Sequence, residues 1–226
     1  MARIVKAPEE RRRELIATAR QLFYTKGYEC TSVNDLVKEV GVAQGTFYYY
    51  FDSKTAVLEA MVDELIVQAR AILQEVVADE TLTAIPKWTR AMQVIGNWKL
   101  ERKGEMLKTL RLVMSDENVL LQHKLQAKSA QMAARELAKI IAQGVEEGVF
   151  ATQFVPESAE IVIALHNTFS ESLADLLLHP DKYDNPMSIA QRKLSAAQTA
   201  IERVLGAPPG SLPMIDEKAL MVWFAN

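Results

Sequence analysis

Residues 44–54 read Gln-Gly-Thr-Phe-Tyr-Tyr-Tyr-Phe-Asp-Ser-Lys, and their side-chain types suit recognition better than turnover. Gln44 can pair bidentately with an adenine edge, and Thr46 can offer its methyl to thymine or its hydroxyl to a base edge. Gly45 lets the backbone come close to whatever lies opposite. The hydroxyls of Tyr48 and Tyr49 can hold phosphates, which fixes register without reading sequence. Lys54 can neutralise another phosphate. Thr31 and Ser32 begin a helix whose amide groups and dipole favour one more. Catalysis has no comparable set. His123, His166 and His179 are far apart, and there is no His-x-x-x-His pair, Gly-rich phosphate loop or nucleophile elbow. The single cysteine, Cys30, excludes an internal disulfide or a multi-Cys zinc site. With Lys26 as its closest basic neighbour in sequence, it makes a poor redox sensor. The expectation is a binding protein with no catalytic residue, no metal and no cofactor.

The elements that must position these groups are helical. Leu15, Ala19, Leu22 and Phe23 recur at helical spacing, as do Val33, Leu36, Val37 and Val40, and then Val57 through Ala69. The spacing predicts an all-α chain of nine or ten helices. The first four cover about 8–24, a short second helix capped by Thr31 or Ser32, 44–50, and a long fourth capped by Asp52 or Ser53 and reaching 77. Further helices follow at about 85–102, 105–114, 117–147, 156–178 and 186–205. A Pro/Gly-rich linker at 206–213 leads to an apolar tail, 214–224. Gly41 supplies the left-handed turn between the second and third helices. Val42 plugs the gap between them. Phe47 and Phe51, four apart, face Val33, Leu36, Val37 and the first helix, which turns Gln44, Gly45, Thr46, Tyr48 and Tyr49 to solvent. Three consecutive aromatics, Tyr48 to Tyr50, cannot all share one face.

The whole chain of 226 residues carries a formal charge of −3, with 49% hydrophobic and 24% charged residues, an ordinary globular mixture. The first 26 residues nevertheless hold seven basic groups against three acidic ones. A basic end on an acidic body suits an anionic partner, although a solvated surface accounts for it too. In the run Glu9 to Arg13, Glu10 and Glu14 lie three or four residues from arginines, the spacing of a self-paired helix face. The N-terminus has no secretory apolar region. No uninterrupted apolar run approaches the ~20 residues of a membrane span. A cytoplasmic location and no membrane partner are therefore expected.

Residues 31–62, TSVNDLVKEVGVAQGTFYYYFDSKTAVLEAMV, resemble the DNA-binding domain of the TetR family of bacterial transcriptional regulators. The resemblance rests on the Thr-Ser helix start, Gly41-Val42, Gly45-Thr46-Phe47-Tyr48, Phe51, Lys54 and Leu58. Ala19, Leu22, Phe23 and Gly27-Tyr28 fit the family's first helix, and Gly148-Val-Phe150 before Pro156-Glu157 fits a common junction in its body. It implies an N-terminal three-helix, helix-turn-helix domain over 1–53. A long helix joins this to a larger helical effector-binding and dimerisation domain over 54–206, and the tail 207–226 docks on the body or the partner. The family's base-reading positions fall on Asn34, Gln44, Gly45, Thr46 and Tyr49, and its phosphate contacts on Ser32, Tyr48, Tyr49 and Lys54. Asn34 stands where the family often has arginine.

The resemblance further implies a homodimeric, ligand-responsive repressor on a palindromic double-stranded DNA operator, released by a small, largely apolar effector. Interface candidates are the last two long helices, 156–178 and 186–205. One carries the stripe Ile161, Leu165, Phe169, Leu173 and Leu176; the other carries Ile189, Ala197, Ala200, Ile201, Val204 and Leu205. Each stripe is expected to serve both the subunit's own core and the interface. Effector candidates are Trp88, Met92, Trp98, Met106, Leu110, Met114, His166 and Phe169, with Asn167, Arg111 and Lys99 as further polar groups. Met and Trp adapt to irregular ligands, but the same stripe also serves as ordinary core. The alternative is a helical ligand-binding or protein-interaction bundle whose DNA-binding face is vestigial.

Overall fold

Proline at the first position of a helix sacrifices no hydrogen bond, and Pro8 opens α1, Pro8–Thr25. This is a computed structural model that describes residues 7–225; Arg3 and Lys6 of the basic N-terminus, and Asn226, lie outside the described residues. Helix α2, Val33–Val40, starts in a capping box. Ser32 Oγ accepts from the Asp35 N–H at 3.1 Å, and the Asp35 carboxylate accepts from the Ser32 N–H at 2.8 Å. It ends at Gly41, whose φ of 73° is the left-handed conformation a side chain would resist. Helix α3 is Gln44–Tyr50. Helix α4, Lys54–Ala78, begins with Ser53 Oγ accepting from the Ala56 N–H at 3.0 Å.

The remaining helices are α5 (Ala84–Glu101), α6 (Lys103–Val113), α7 (Val119–Glu146), α8 (Val155–Leu178), α9 (Pro186–Leu205) and α10 (Glu217–Phe224), with 3-10 turns at Asp116–Asn118 and Pro180–Lys182. The chain is all-helical, a helix-turn-helix followed by a larger helical body, and no strand occurs among the described residues. The apolar tail holds helix α10. The Asp216 carboxylate caps it, accepting from the N–H groups of Lys218 and Ala219 at 2.8 and 3.3 Å.

Packing divides the chain into two units. The first runs to Val67 and includes Lys108–Leu125; the second holds Gln68–Leu107 and everything from Gln126 on. This differs from the division at 53/54 read from the sequence. Val57, Leu58 and Met61 of α4 are fully buried in the first unit's core with Leu15, Ile16, Phe23, Leu36, Phe47 and Phe51. Each such side chain contributes roughly 1.5–3 kcal/mol by leaving water. Leu121 and Leu125 of α7 complete that core.

The second unit centres on Trp88, Ile140, Ile141, Phe169, Leu176, Ile201 and Leu205. Its tail residues Leu212, Met214 and Leu220 are buried in the same core, and the Trp88 indole N–H donates to the Pro213 carbonyl at 2.9 Å. One buried carboxylate, Glu136, accepts from Gln74 at 2.8 Å, Lys139 at 2.6 Å and Arg70 at 3.4 Å. Burial opposes its ionisation, but these donors outweigh burial and lower its pKa.

Helices α8 and α9 pack along each other. Among the described residues, α8 is long and apolar enough to cross a membrane by length and composition. The sequence argument looked for uninterrupted apolar runs and missed this, because isolated polar residues break the run without lowering the average much. Ser158, Ala159, Val162, Phe169, Ala174 and Leu176 of α8 are buried in the second unit, whereas Ile161 remains 49% exposed.

Candidate nucleic-acid interface

The second and third helices present a face built on a fixed floor. Phe47 is fully buried. Tyr48 stands edge-on to it with centroids 5.4 Å apart, and Phe51 lies tilted at 6.0 Å. Helical geometry puts Gln44 with Tyr48, and Gly45 with Tyr49, on the side away from that floor. Gln44, Gly45, Tyr48 and Tyr49 are exposed and Thr46 is half-exposed. Tyr49 is 76% exposed and meets the Tyr50 ring edge-on at 4.9 Å. Exposing so large an aromatic is costly for a helix with nothing to bind. On α2, Ser32 and Asn34 are exposed. All eight residues expected at this face thus lie on α2 with its cap, on α3 or at the start of α4, and none is buried.

Lys54 is not a free tether. Its Nζ donates to the Tyr28 carbonyl at 2.7 Å and lies 4.0 Å from the Tyr28 ring centroid. The Tyr28 hydroxyl is in turn paired with Thr55 Oγ1 at 2.9 Å. The ammonium is therefore positioned in advance, with donor capacity left for a phosphate.

The start of α2 differs from the simple picture of open amide groups. Thr31 is buried and donates its hydroxyl to the Gly27 carbonyl at 2.7 Å. The Ser32 hydroxyl and N–H both go to the Asp35 carboxylate at 2.8 Å, and Lys26 Nζ reaches the same carboxylate at 2.7 Å. Lys26, then Ser32, hold the Asp35 carboxyl well below the usual carboxylate range. A negative side chain already occupies the helix N-terminus that the sequence offered to a phosphate. Lys26, Tyr28 and Asp35 are supporting residues that sequence reasoning passed over; Ser32-Val-Asn-Asp35 carries the spacing of a capping box and could have revealed one of them. In the arginine run, Arg11 pairs with Glu14 at 2.5 Å, and the Arg12 guanidinium lies 5.2 Å from the Phe51 ring centroid.

The effector candidates scatter over different environments. Trp88 and Phe169 are buried in the second unit's core. Met92 is half-buried against that core. Trp98 is half-buried with the Arg102 guanidinium 5.3 Å from its ring, and Met106 and His166 are also half-buried. Leu110 and Met114 are half-buried residues of the first unit. An open groove of about 570 Å³ follows α9 and the turn after it, lined by Ser195, Gln198, Thr199, Glu202, Arg203 and Gly210 among others, and none of the eight candidates lines it. Among the described residues no group of three His, Cys, Asp or Glu side chains could hold a metal ion. Cys30 is exposed.

Residues 15–61, the stretch that forms this face and its floor, match the family of bacterial regulatory proteins called tetR. This stretch is similar to the N-terminal DNA-binding domain of the TetR family. It is 44% identical over 61 residues to the HTH-type transcriptional regulator EthR of Mycolicibacterium smegmatis, a match covering 27% of this chain and 28% of that protein. The chain thus matches just over a quarter of the length of such relatives. The fold similarity extends further. A TetR-family transcriptional regulator from Pectobacterium atrosepticum superposes with a TM-score of 0.62 at 20% identity, covering 89% of this chain and 97% of that one. SmeT in complex with triclosan gives 0.59 at 17% identity, covering 91% and 97%. At these identities the likeness is one of fold.

Proposed function

We propose that the chain is a ligand-responsive, homodimeric transcriptional regulator that represses by binding a palindromic operator. The observation that carries this is the solvent face of α3, where Gln44, Gly45, Thr46, Tyr48 and Tyr49 stand exposed or half-exposed over a buried Phe47. Gln44 and Thr46 read base edges, with Asn34 beside them on α2. Tyr48, Tyr49 and Lys54 hold phosphates and fix the register. Ser32 contributes through the α2 start, where an incoming phosphate must share the site with the Asp35 carboxylate.

A single helix-turn-helix reads only a few base pairs, each worth roughly 1–3 kcal/mol of discrimination. Two copies on a palindrome double that discrimination. Helices α8 and α9 are the pairing surface. Ile161 is exposed and Leu165, Leu173, Ile189, Ala197 and Val204 are half-buried, so each stripe keeps apolar surface for a partner after serving its own core. Pairing there also accounts for the membrane-like composition of α8 without a membrane, and suits a cytoplasmic protein.

The effector enters the second unit, along the half-buried Met92, Trp98, Met106 and His166. Helix α4, shared by both units, transmits its binding. The operator-binding state loses population in proportion to the effector's differential affinity for the two states. Coupling of ~1–3 kcal/mol changes operator affinity roughly 5–150-fold.

Selection of the refolded, ligand-stripped chain on random duplex DNA, followed by a salt titration of the recovered pool, tests this. The expected result is an enriched palindrome whose affinity falls steeply with salt, and loss of that enrichment in Gln44→Ala/Tyr49→Ala, which alters only exposed side chains. Equal enrichment by the variant, or none by the stripped wild type, overturns the operator-binding role and leaves a helical bundle with a vestigial face.

A further inference from the structure

Helices α8 and α9 carry surface charge of opposite sign. Every exposed charged residue of α8 is acidic: Glu157, Glu160 and Glu171. Every exposed charged residue of α9 is basic: Arg192, Lys193 and Arg203. Small or apolar exposed residues lie between them, Ile161, Ala164 and Thr168 on α8 and Ser195, Ala196 and Thr199 on α9. Spacings of three and four put each set on one face of its helix. An uncharged centre with charges at its rim is the anatomy of a recognition surface. Among the described residues, Glu157, Glu160, Arg192 and Arg203 enter no ion pair.

Two hydrogen bonds fix the relative heights of these residues. The Ala151 N–H, just before α8, donates to the Leu205 carbonyl at the end of α9 at 2.8 Å. Towards the other end, Lys193 Nζ donates to Ser172 Oγ at 3.1 Å. The two helices therefore run antiparallel, with Glu157 level with Arg203 and Glu171 level with Arg192.

A negative stripe beside a positive one constrains how two copies can pair symmetrically. A two-fold axis running across the helices lays α8 on the partner's α8 and α9 on the partner's α9. That sets like charge on like, which is disfavoured. An axis running along the helices lays α8 on the partner's α9 and keeps every residue at its own height. Glu157 then meets the partner's Arg203, and Glu171 meets the partner's Arg192.

The same heights bring an exposed ring to a groove. Phe154 is 66% exposed, more than any other large apolar side chain of the second unit among the described residues. It stands two helical turns before Ile161, at the same end of the helix pair as Gly206. The groove of about 570 Å³ is lined by Ser195, Thr199, Arg203, Gly206 and Gly210 among others. It thus opens on the exposed face of α9 and ends level with Phe154. A guanidinium at its edge suits an aromatic ring.

We infer that a second copy of this chain docks with its α9 over α8 and its α8 over α9, about a two-fold axis running along the helices. Glu157 and Glu171 pair with the partner's Arg203 and Arg192, and Phe154 seats in the partner's groove. Exposed ion pairs add little affinity one by one; their work here is to select the axis and the partner. This rests on α8 and α9 being the pairing surface, as proposed above.

Native mass spectrometry of refolded full-length chains, one of each mixture isotopically labelled, tests it. Glu157→Arg/Glu171→Arg and Arg192→Glu/Arg203→Glu change only exposed positions, and circular dichroism should show their helix content unchanged. Each alone is expected to dimerise at least tenfold more weakly than wild type, and an equimolar mixture of the two should form a heterodimer. The chain carrying all four substitutions should pair with itself and refuse wild type. Phe154→Ser should weaken the wild-type dimer several-fold. Unchanged dimerisation of either double variant, or no heterodimer in their mixture, overturns the charge pairing. A heterodimer of the fourfold variant with wild type, formed in preference to both homodimers, overturns the axis, because only α8 on α8 makes that pair complementary. Unchanged dimerisation of Phe154→Ser overturns the seating of the ring. A wild-type dimer broken by Ile161→Lys but indifferent to all the charge changes removes this inference and keeps the α8/α9 surface. A monomeric wild type removes both.

Discussion

Acid should unfold the second unit through His166 before its carboxylates matter. Burial and Lys99 hold the imidazole at about 4 in the folded chain, against an ordinary value of 6.5. Above pH 6.5 the group is neutral in both states and contributes nothing to the pH dependence. Between 6.5 and 4 the unfolded chain takes up a proton that the folded chain refuses, so stability falls as the pH falls. The full gap corresponds to about 3 kcal/mol, an upper figure because the residue keeps some contact with solvent. Carboxylates with lowered pKa values, such as Glu136 and Asp175, lose their contribution only at more acidic pH. The three tryptophans, Trp88, Trp98 and Trp223, all belong to the second unit, so indole fluorescence reports its unfolding alone. Urea titrations at pH 7, 6, 5 and 4.5 on wild type and His166→Gln isolate the group. The variant should gain on wild type steadily below pH 6.5. Lys99→Met should recover only part of the loss, since burial is the larger cause. Parallel curves for wild type and His166→Gln would refute the reasoning, and so would wild type gaining stability in acid, which would mean that a protonated His166 has an anionic partner already.

Two further outcomes concern the frame around the sites. Ser32→Ala removes the α2 cap and should cost about 1 kcal/mol; hydrogen exchange should show the loss in α2 and α3, and unchanged protection there would discount the cap. Gly144→Ala places a methyl 2.1 Å from the Phe150 ring. Overpacking of that kind costs ~1–3 kcal/mol, so the variant should melt below wild type in the fluorescence assay, whereas a neutral result would mean that Phe150 swings away freely.

The helix-turn-helix was largely legible because its signals are local. Proline at a first turn, a serine cap and a glycine that must be left-handed act within a few residues, and α3 falls on 44–50 as its spacing predicts. The exposed face followed from the period of Phe47 and Phe51. The partners of those faces were not legible. Periodicity shows that Val57, Leu58 and Met61 turn inward but not that Leu121 and Leu125 share their core. It marked Trp88 as an unusual side chain without showing that the Pro213 carbonyl satisfies its N–H in the core. Asp35 reads as an ordinary surface acid until its carboxylate is found across the start of α2. Asp216 followed by Glu217 signals a helix start, but the neighbouring prolines and glycines masked it.

The inclusion of Leu121 and Leu125 in the first unit's core has a consequence for how the protein is made. A chain leaves the ribosome N-terminus first, and domains generally fold as units during synthesis. Helices α1 to α3 emerge together with the start of α4, yet the core beneath them is unfinished until the beginning of α7 has followed. Through that interval the nascent helix-turn-helix exposes the apolar surface those two leucines later cover. It is then a client for chaperones and prone to aggregate. Synthesis rate between α4 and α7, rather than the stability of the finished fold, sets how long that hazard lasts.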